Sequence, residues 1–133
     1  MSTSRWLHHI ELWVPDLDRA QRTWEWLLTA LGAHPFQSWE HGRSWRWDDG
    51  SHLVLEQSPA LSAERHDRCA PGLNHLAFVF DGDLDALVAE APGHGWTLLF
   101  GERHPLAGGP HHRAAYLENT DRFEVEVVAG TEH

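Results

Sequence analysis

Histidine and glutamate recur at matching places in two similar stretches of the chain. His9 lies near the start of the run LHHIELWV and His75 near the start of NHLAFVF, and Asp-Leu-Asp follows each run, at 16 to 18 and 83 to 85. Further on, two apolar segments carry glutamate: Leu53-Val54-Leu55-Glu56 and Phe123-Glu124-Val125-Glu126. Imidazole nitrogens and carboxylate oxygens bind divalent ions of intermediate hardness, and they are also the groups that most often move protons near neutral pH. A histidine hydrogen-bonded within a sheet would explain His9 or His75 alone equally well. Glu11 shares a strand face with His9, and Glu124 shares one with Glu126, so each is an alternative donor. His111-His112, beside Gly108-Gly109-Pro110, reads as an exposed polar turn, with a substrate loop or a second metal pair as the other readings.

The elements that must position these residues follow from periodicity. Residues 7 to 14 alternate, with Ile10, Leu12 and Val14 on one face and Leu7, His9, Glu11 and Trp13 on the other. His9, rather than His8, is therefore expected to face the chemistry. Pro15 and Asp16 break the strand. Asp16 is placed to cap a helix in which Leu17, Ala20, Trp24, Leu27, Leu28 and Leu31 recur at helical spacing before Gly32 ends it. Strands are expected over 34 to 39, 43 to 48 and 52 to 57, with a turn at Asp48-Asp49-Gly50. The order then repeats: a strand over 74 to 80, a helix starting at Asp83 and ending near Pro92-Gly93, and strands near 96 to 100, 112 to 117 and 122 to 129. The chain reads as a duplicated βαβββ unit. The first module covers about 5–58, a linker 59–72, and the second about 73–130.

Composition narrows the chemistry. The chain has 133 residues, enough for one domain with a real core, and 20 acidic against 10 basic residues. The formal charge of -10 would repel a phosphate backbone or an anionic membrane, so neither nucleic acid nor membrane is expected as a partner. All the basic residues are arginines, which excludes a Schiff-base lysine and a P-loop lysine. Cys69, the single cysteine, excludes an intrachain disulfide. With no apolar run of signal-peptide or membrane-spanning length, a cytoplasmic location is expected.

The opening pattern His-aliphatic-x-aliphatic-x-Val-x-Asp-Leu, Leu31-Gly32 at the end of the first helix, Gly72-Leu73-Asn74-His75-Leu76-Ala77-Phe78 and the ending from Glu118 to Val128 together resemble the vicinal oxygen chelate superfamily. That superfamily includes glyoxalase I, bleomycin resistance proteins, methylmalonyl-CoA epimerase, fosfomycin resistance enzymes and extradiol dioxygenases. The resemblance spans Leu7 to Ala129. It implies an α+β fold, glyoxalase-like, in which two βαβββ modules curl their mixed sheets around a central cavity with the helices outside. The Asp-Pro-Asp-Gly turn of such proteins is replaced by Asn119-Thr120-Asp121-Arg122, so that hairpin is expected to differ in shape.

The resemblance also implies a ligand set of His9, Glu56, His75 and Glu126 around a divalent metal ion: Zn, Ni, Co, Mn or Fe. Four protein ligands on a six-coordinate ion leave two neighbouring positions, which favours chelation of a small carbonyl or hydroxy-carbonyl substrate over dioxygen chemistry. The expected activity is that of a glyoxalase I-like lyase or isomerase, or an epimerase, working by proton transfer through a metal-chelated enediolate. Glu126 or Glu56 would be the catalytic base. Trp13, Trp39, Trp45, Trp47 and Tyr116 are candidate substrate walls, and Arg43, Arg103 and Arg113 could hold an anionic group on the substrate. A rival reading, of bleomycin-resistance type, is a metal-free protein that sequesters an antibiotic or other aromatic natural product. Extradiol dioxygenase and thiol transferase readings rank below both. A homodimer is expected.

Overall fold

Within residues 6–130, which the computed structural model describes, the alternating and helical patterns become two compact units, one ending at Arg65 and the other beginning at His66. The first unit contains β1 (His9–Trp13), α1 (Leu17–Ala30), β2 (His34–Trp39), β3 (Gly42–Arg46) and β4 (His52–Glu56). Its sheet runs β1-β4-β3-β2, with β1 parallel to β4 and the other pairs antiparallel. The second unit contains β5 (His75–Phe80), α2 (Leu84–Glu90), a 3-10 turn at Ala91–His94, β6 (Trp96–Leu99), β7 (Ala114–Asn119) and β8 (Glu124–Ala129). Its sheet order, β5-β8-β7-β6, repeats the first, with β5 parallel to β8. Each unit is thus a βαβββ unit around a mixed sheet, as the duplication predicts.

Both helices begin where an aspartate accepts an orphan amide hydrogen. Asp16 Oδ1 takes the Arg19 N–H at 2.9 Å, and Asp83 Oδ1 takes the Ala86 N–H at 3.1 Å. Gln57 adds a second cap to α1, its Oε1 accepting the Leu17 N–H at 2.8 Å. Gly32, at φ +94°, lets the chain turn out of α1 in a conformation that a Cβ would oppose.

One face of each sheet is packed and the other bears the polar groups. In the first unit Leu12, Val14, Trp45, Leu53 and Leu55 are buried together with Leu17, Ala20, Trp24, Leu27 and Leu28 of α1. In the second unit Leu117, Val125 and Val127 occupy the corresponding face, with Leu84 and Leu87 buried on α2. Each fully buried leucine or valine contributes on the order of 1.5–3 kcal/mol, so these faces fix which side chains are left for the other side.

The hairpin from β7 to β8 turns through Asn119-Thr120-Asp121-Arg122. Arg122 takes φ +70° without being glycine, and the buried Asn119 closes the turn by accepting the N–H groups of Asp121 and Phe123 at 3.1 and 3.0 Å.

Candidate functional site

The parallel pairing of β5 and β8 sets His75 opposite Glu124 and Ala77 opposite Glu126. With a period of two, His75, Glu124 and Glu126 share the helix-free face. Glu126 is the best-connected group on it. Its Oε1 lies 3.2 Å from His75 Nε2, its Oε2 contacts His112 Nε2, and the Tyr116 phenol, opposite it on β7, donates a hydrogen bond to the same carboxylate. The carboxylate side chain is 9% exposed.

The neighbours of this cluster act on its polar groups. Asn74 Oδ1 stands 2.6 Å from His75 Nδ1 and accepts its N–H, which leaves the Nε2 lone pair on the Glu126 side for a metal ion. Burial and the Glu126 charge push the Tyr116 phenol above its ordinary value of 10.0, with Glu124 adding to the effect and Arg103 opposing it. Tyr116 is therefore a proton donor at neutral pH. Glu124, the alternative ligand on this face, is taken up by Arg68, whose Nε approaches it to 2.9 Å and whose Nη1 also contacts Glu118. Phe100 meets the edge of Tyr116 at 5.5 Å, and Arg103 lies over Phe100 at 5.1 Å, which keeps the expected Arg103 near this group.

His112 is the site residue that the turn reading passed over. Continuing the alternation of Ala114, Tyr116 and Glu118 backward by one step puts 112 on the Glu126 face, a signal that lay in the sequence.

In the first unit the register assembles a different group. His9 pairs with His52, and Trp13 pairs with Glu56. Glu56 thus shares the helix-free face with His9 but sits four residues beyond its partner, about 13 Å along the strand. The register does not bring Glu56 to His9, and the expectation of a fourth protein ligand loses its geometric support there. Val54, two residues past His52, holds the place that Glu126, two past Glu124, holds in the second unit. What His9 does meet is imidazole. Its ring stacks on His52 at 5.0 Å, and His8 packs edge-on against both, at 5.1 and 5.0 Å. His8 joins its neighbour because residue 8 forms a bend just before β1, where the strand alternation does not apply. Glu11, the one acid on β1, accepts the Trp13 indole N–H at 2.7 Å.

The expected substrate walls divide by strand parity. Trp13 and Trp39, 44% and 37% exposed, lie on the helix-free face of the first unit, opposite Glu56 and Gly42 respectively. Trp45 is a correction: it pairs with Leu53 and is 1% exposed, a core residue of the helix-packed face. Trp47 continues the same parity and donates its indole N–H to Leu31 O at the end of α1, at 3.1 Å. Arg113 likewise faces α2, with Nη2 3.0 Å from Asp85 Oδ1, and Arg43 faces α1, with Nε 3.1 Å from Gln21 Oε1. All four have the parity of the buried residues beside them, so they stand apart from the donors.

Two mixed four-stranded sheets of βαβββ design, with a histidine and glutamate group on the open face of the second, define a class. The chain belongs to the Glyoxalase/Bleomycin resistance protein/Dioxygenase superfamily, whose family model matches residues 8–116. It is 43% identical over 127 residues to the uncharacterized protein YqjT of Bacillus subtilis (strain 168), covering 92% of this chain and 98% of that one. A crystal structure from Bacillus halodurans, of a protein assigned as a glyoxalase, superposes with a TM-score of 0.85 at 37% identity, covering 92% of this chain and 94% of that one. The fold is also that of the fosfomycin resistance protein FosX from Listeria monocytogenes, with a TM-score of 0.62 at 19% identity over 96% of this chain and 92% of that one; that structure holds Mn(II) and 1S,2S-dihydroxypropylphosphonic acid. Among the described residues no helix is long and apolar enough to cross a membrane.

Proposed function

We propose that this protein is a metal-dependent enzyme acting on a small carbonyl or hydroxy-carbonyl compound, a lyase, isomerase or epimerase, with Glu126 as the proton-transfer base. The observation that carries this reading is the Glu126 carboxylate, nearly buried yet contacted by two imidazoles and a phenol. A carboxylate so placed is oriented and shielded from bulk water, which suits it to take a proton from carbon.

The donor chemistry fits a divalent ion: His75 offers Nε2 with Nδ1 tied to Asn74, and Glu126 offers Oε1 beside it. Those two residues would hold the ion, and, when bound, it would polarise the substrate carbonyl and offset the negative charge that develops. Glu126 breaks the C–H bond next to the carbonyl by accepting the proton on a carboxylate oxygen. It returns the proton to the neighbouring carbon while the hydroxyl proton passes to the former carbonyl oxygen, which isomerises the substrate, or to the opposite face of the same carbon, which epimerises it; no atom is gained or lost. His112 orients the carboxylate at Oε2, and Tyr116 donates to it throughout because its phenol stays protonated.

The reading is tested by solvent exchange. Wild-type protein loaded with a divalent ion is incubated in D2O with a panel of 2-hydroxyketones and 2-oxoaldehyde thiol adducts, and deuterium entry at carbon is followed by NMR. Exchange that disappears in Glu126→Gln, with the melting temperature retained, is expected; a panel in which wild type exchanges nothing above the ion alone sinks the proposal. The exposed Trp13 and Trp39 favour sequestration of an aromatic compound as the second reading. Quenching of tryptophan fluorescence by such compounds in metal-free protein, without turnover, would select it.

A further inference from the structure

We propose that the first unit carries a transition-metal site of its own, built from the imidazoles of His8, His9 and His52. One ring nitrogen from each lies within 4.8 Å of the others. The arrangement is built by the backbone. His9 and His52 are direct neighbours in the parallel ladder, with rings stacked at 5.0 Å and 13° apart in plane. The bend at residue 8 brings the third ring in edge-on, and the His52 N–H donates to His8 O at 3.2 Å, tying that bend to β4. His52 Nδ1 lies 3.4 Å from Gly50 O, a carbonyl on the side that leaves Nε2 for a ligand role.

The spacing suits an ion. With metal–nitrogen bonds of about 2.0–2.1 Å, nitrogens around a tetrahedral centre stand about 3.3 Å apart. The His8 and His9 Nδ1 atoms are 2.9 Å apart, and the widest separation, under 4.8 Å, closes by rotation of exposed or half-buried side chains. No carboxylate competes on β1, since Glu11 is engaged by Trp13. Phe36 covers one edge of His52 at 5.6 Å, with Arg46 over the Phe36 ring. Three neutral imidazoles select zinc, cobalt, nickel or copper over magnesium, calcium or manganese, and leave at least one coordination position open. The site is chemically distinct from the one at Glu126, whose donors include a carboxylate.

The test uses the full-length chain without a histidine tag, and zinc and cobalt ions as probes. In a His75→Ala/Glu126→Gln background, which removes the two residues proposed to hold the ion in the second unit, one zinc per chain is expected to survive desalting, and cobalt is expected to give a visible ligand-field spectrum. Adding His8→Ala or His52→Ala should weaken zinc binding about tenfold or more. Should a variant fail to fold, zinc titration of the wild type followed by imidazole nitrogen NMR gives the same answer, because His8, His9 and His52 must shift together. A background variant that retains no zinc, His8 and His52 variants that bind as tightly as their parent, or an NMR titration that leaves His8 and His52 unmoved would each overturn the proposal. None of these readouts depends on turnover, so this site and the proton-transfer reading can fail separately.

Discussion

His52 stands directly across the ladder from His9, with the two imidazole rings stacked at 5.0 Å, while Glu56 stands across from Trp13. A substitution at Glu56 should therefore be silent where one at Glu126 is not. Glu56→Gln is expected to keep zinc affinity and proton exchange within about twofold of wild type, since strand spacing puts the carboxylate out of reach of His9 and the proposed proton-transfer base is Glu126. Metal titration and the D2O assay on the two glutamine variants side by side check this. Equal losses in both would restore Glu56 as a ligand.

Tyr116 is the only tyrosine in the chain, so its ionisation can be read by absorbance near 295 nm without assignment. Its phenol is pushed above 10.0 first by burial and then by the Glu126 charge. The titration midpoint is expected above 10.0 in wild type and lower in Glu126→Gln, because a neutral amide no longer opposes formation of the phenolate. An unchanged midpoint would mean that Tyr116 does not sense Glu126.

Alternation carried most of the fold and part of the site. Strand parity put Ile10, Leu12 and Val14 against the helix and His9 and His75 on the open face, and the two capping aspartates marked both helix starts. The ligand set was less legible, because pairing register is not written in one strand alone. Glu56 and Glu126 occupy similar apolar segments, yet one lies four residues past the partner of its histidine and the other only two. A slip of one pleat repeat leaves parity intact and moves the group by about 7 Å. Parity was also the missed evidence at Trp45, Trp47 and Arg113, all on helix-facing positions, and at His112, which shares the parity of Tyr116. The bend at His8 lies outside any such rule.

His66 provides a pH test of stability. Its ring stacks on Phe123 at 4.4 Å, and its Nε2 is buried without a hydrogen-bond partner among the described residues. Burial lowers its pKa below the ordinary 6.5, with Arg68 acting in the same direction and Asp67 against it. The folded chain then holds the neutral ring while the unfolded chain takes up a proton. This contribution to stability is complete above pH 6.5 and is lost as pH falls through the lower folded value. His66→Phe keeps the stacking and removes the proton. Denaturant unfolding between pH 7.5 and 5 should show a shallower fall in stability for that variant, and parallel curves would refute the assignment.

Gly108 decides how closely the loop before β7 can approach the Glu126 group. A Cβ at this position would sit 2.6 Å from His112 Cδ2 and 2.7 Å from the Tyr116 hydroxyl oxygen, closer than side-chain carbons tolerate. Both crowded groups contact Glu126, so any relief by movement of the loop loosens a contact to that carboxylate. Strain of this kind costs about 1–3 kcal/mol, and an exposed loop can shed much of it by moving. Gly108→Ala is therefore expected to leave the melting temperature nearly unchanged while bringing the Tyr116 midpoint down toward 10.0 and reducing proton exchange about tenfold. The retained melting temperature separates this outcome from a general loss of fold, which would also return the Tyr116 midpoint to 10.0. A variant with wild-type exchange and a wild-type tyrosine midpoint would show that the loop has room to spare, and that His112 does not depend on its close approach to hold the carboxylate.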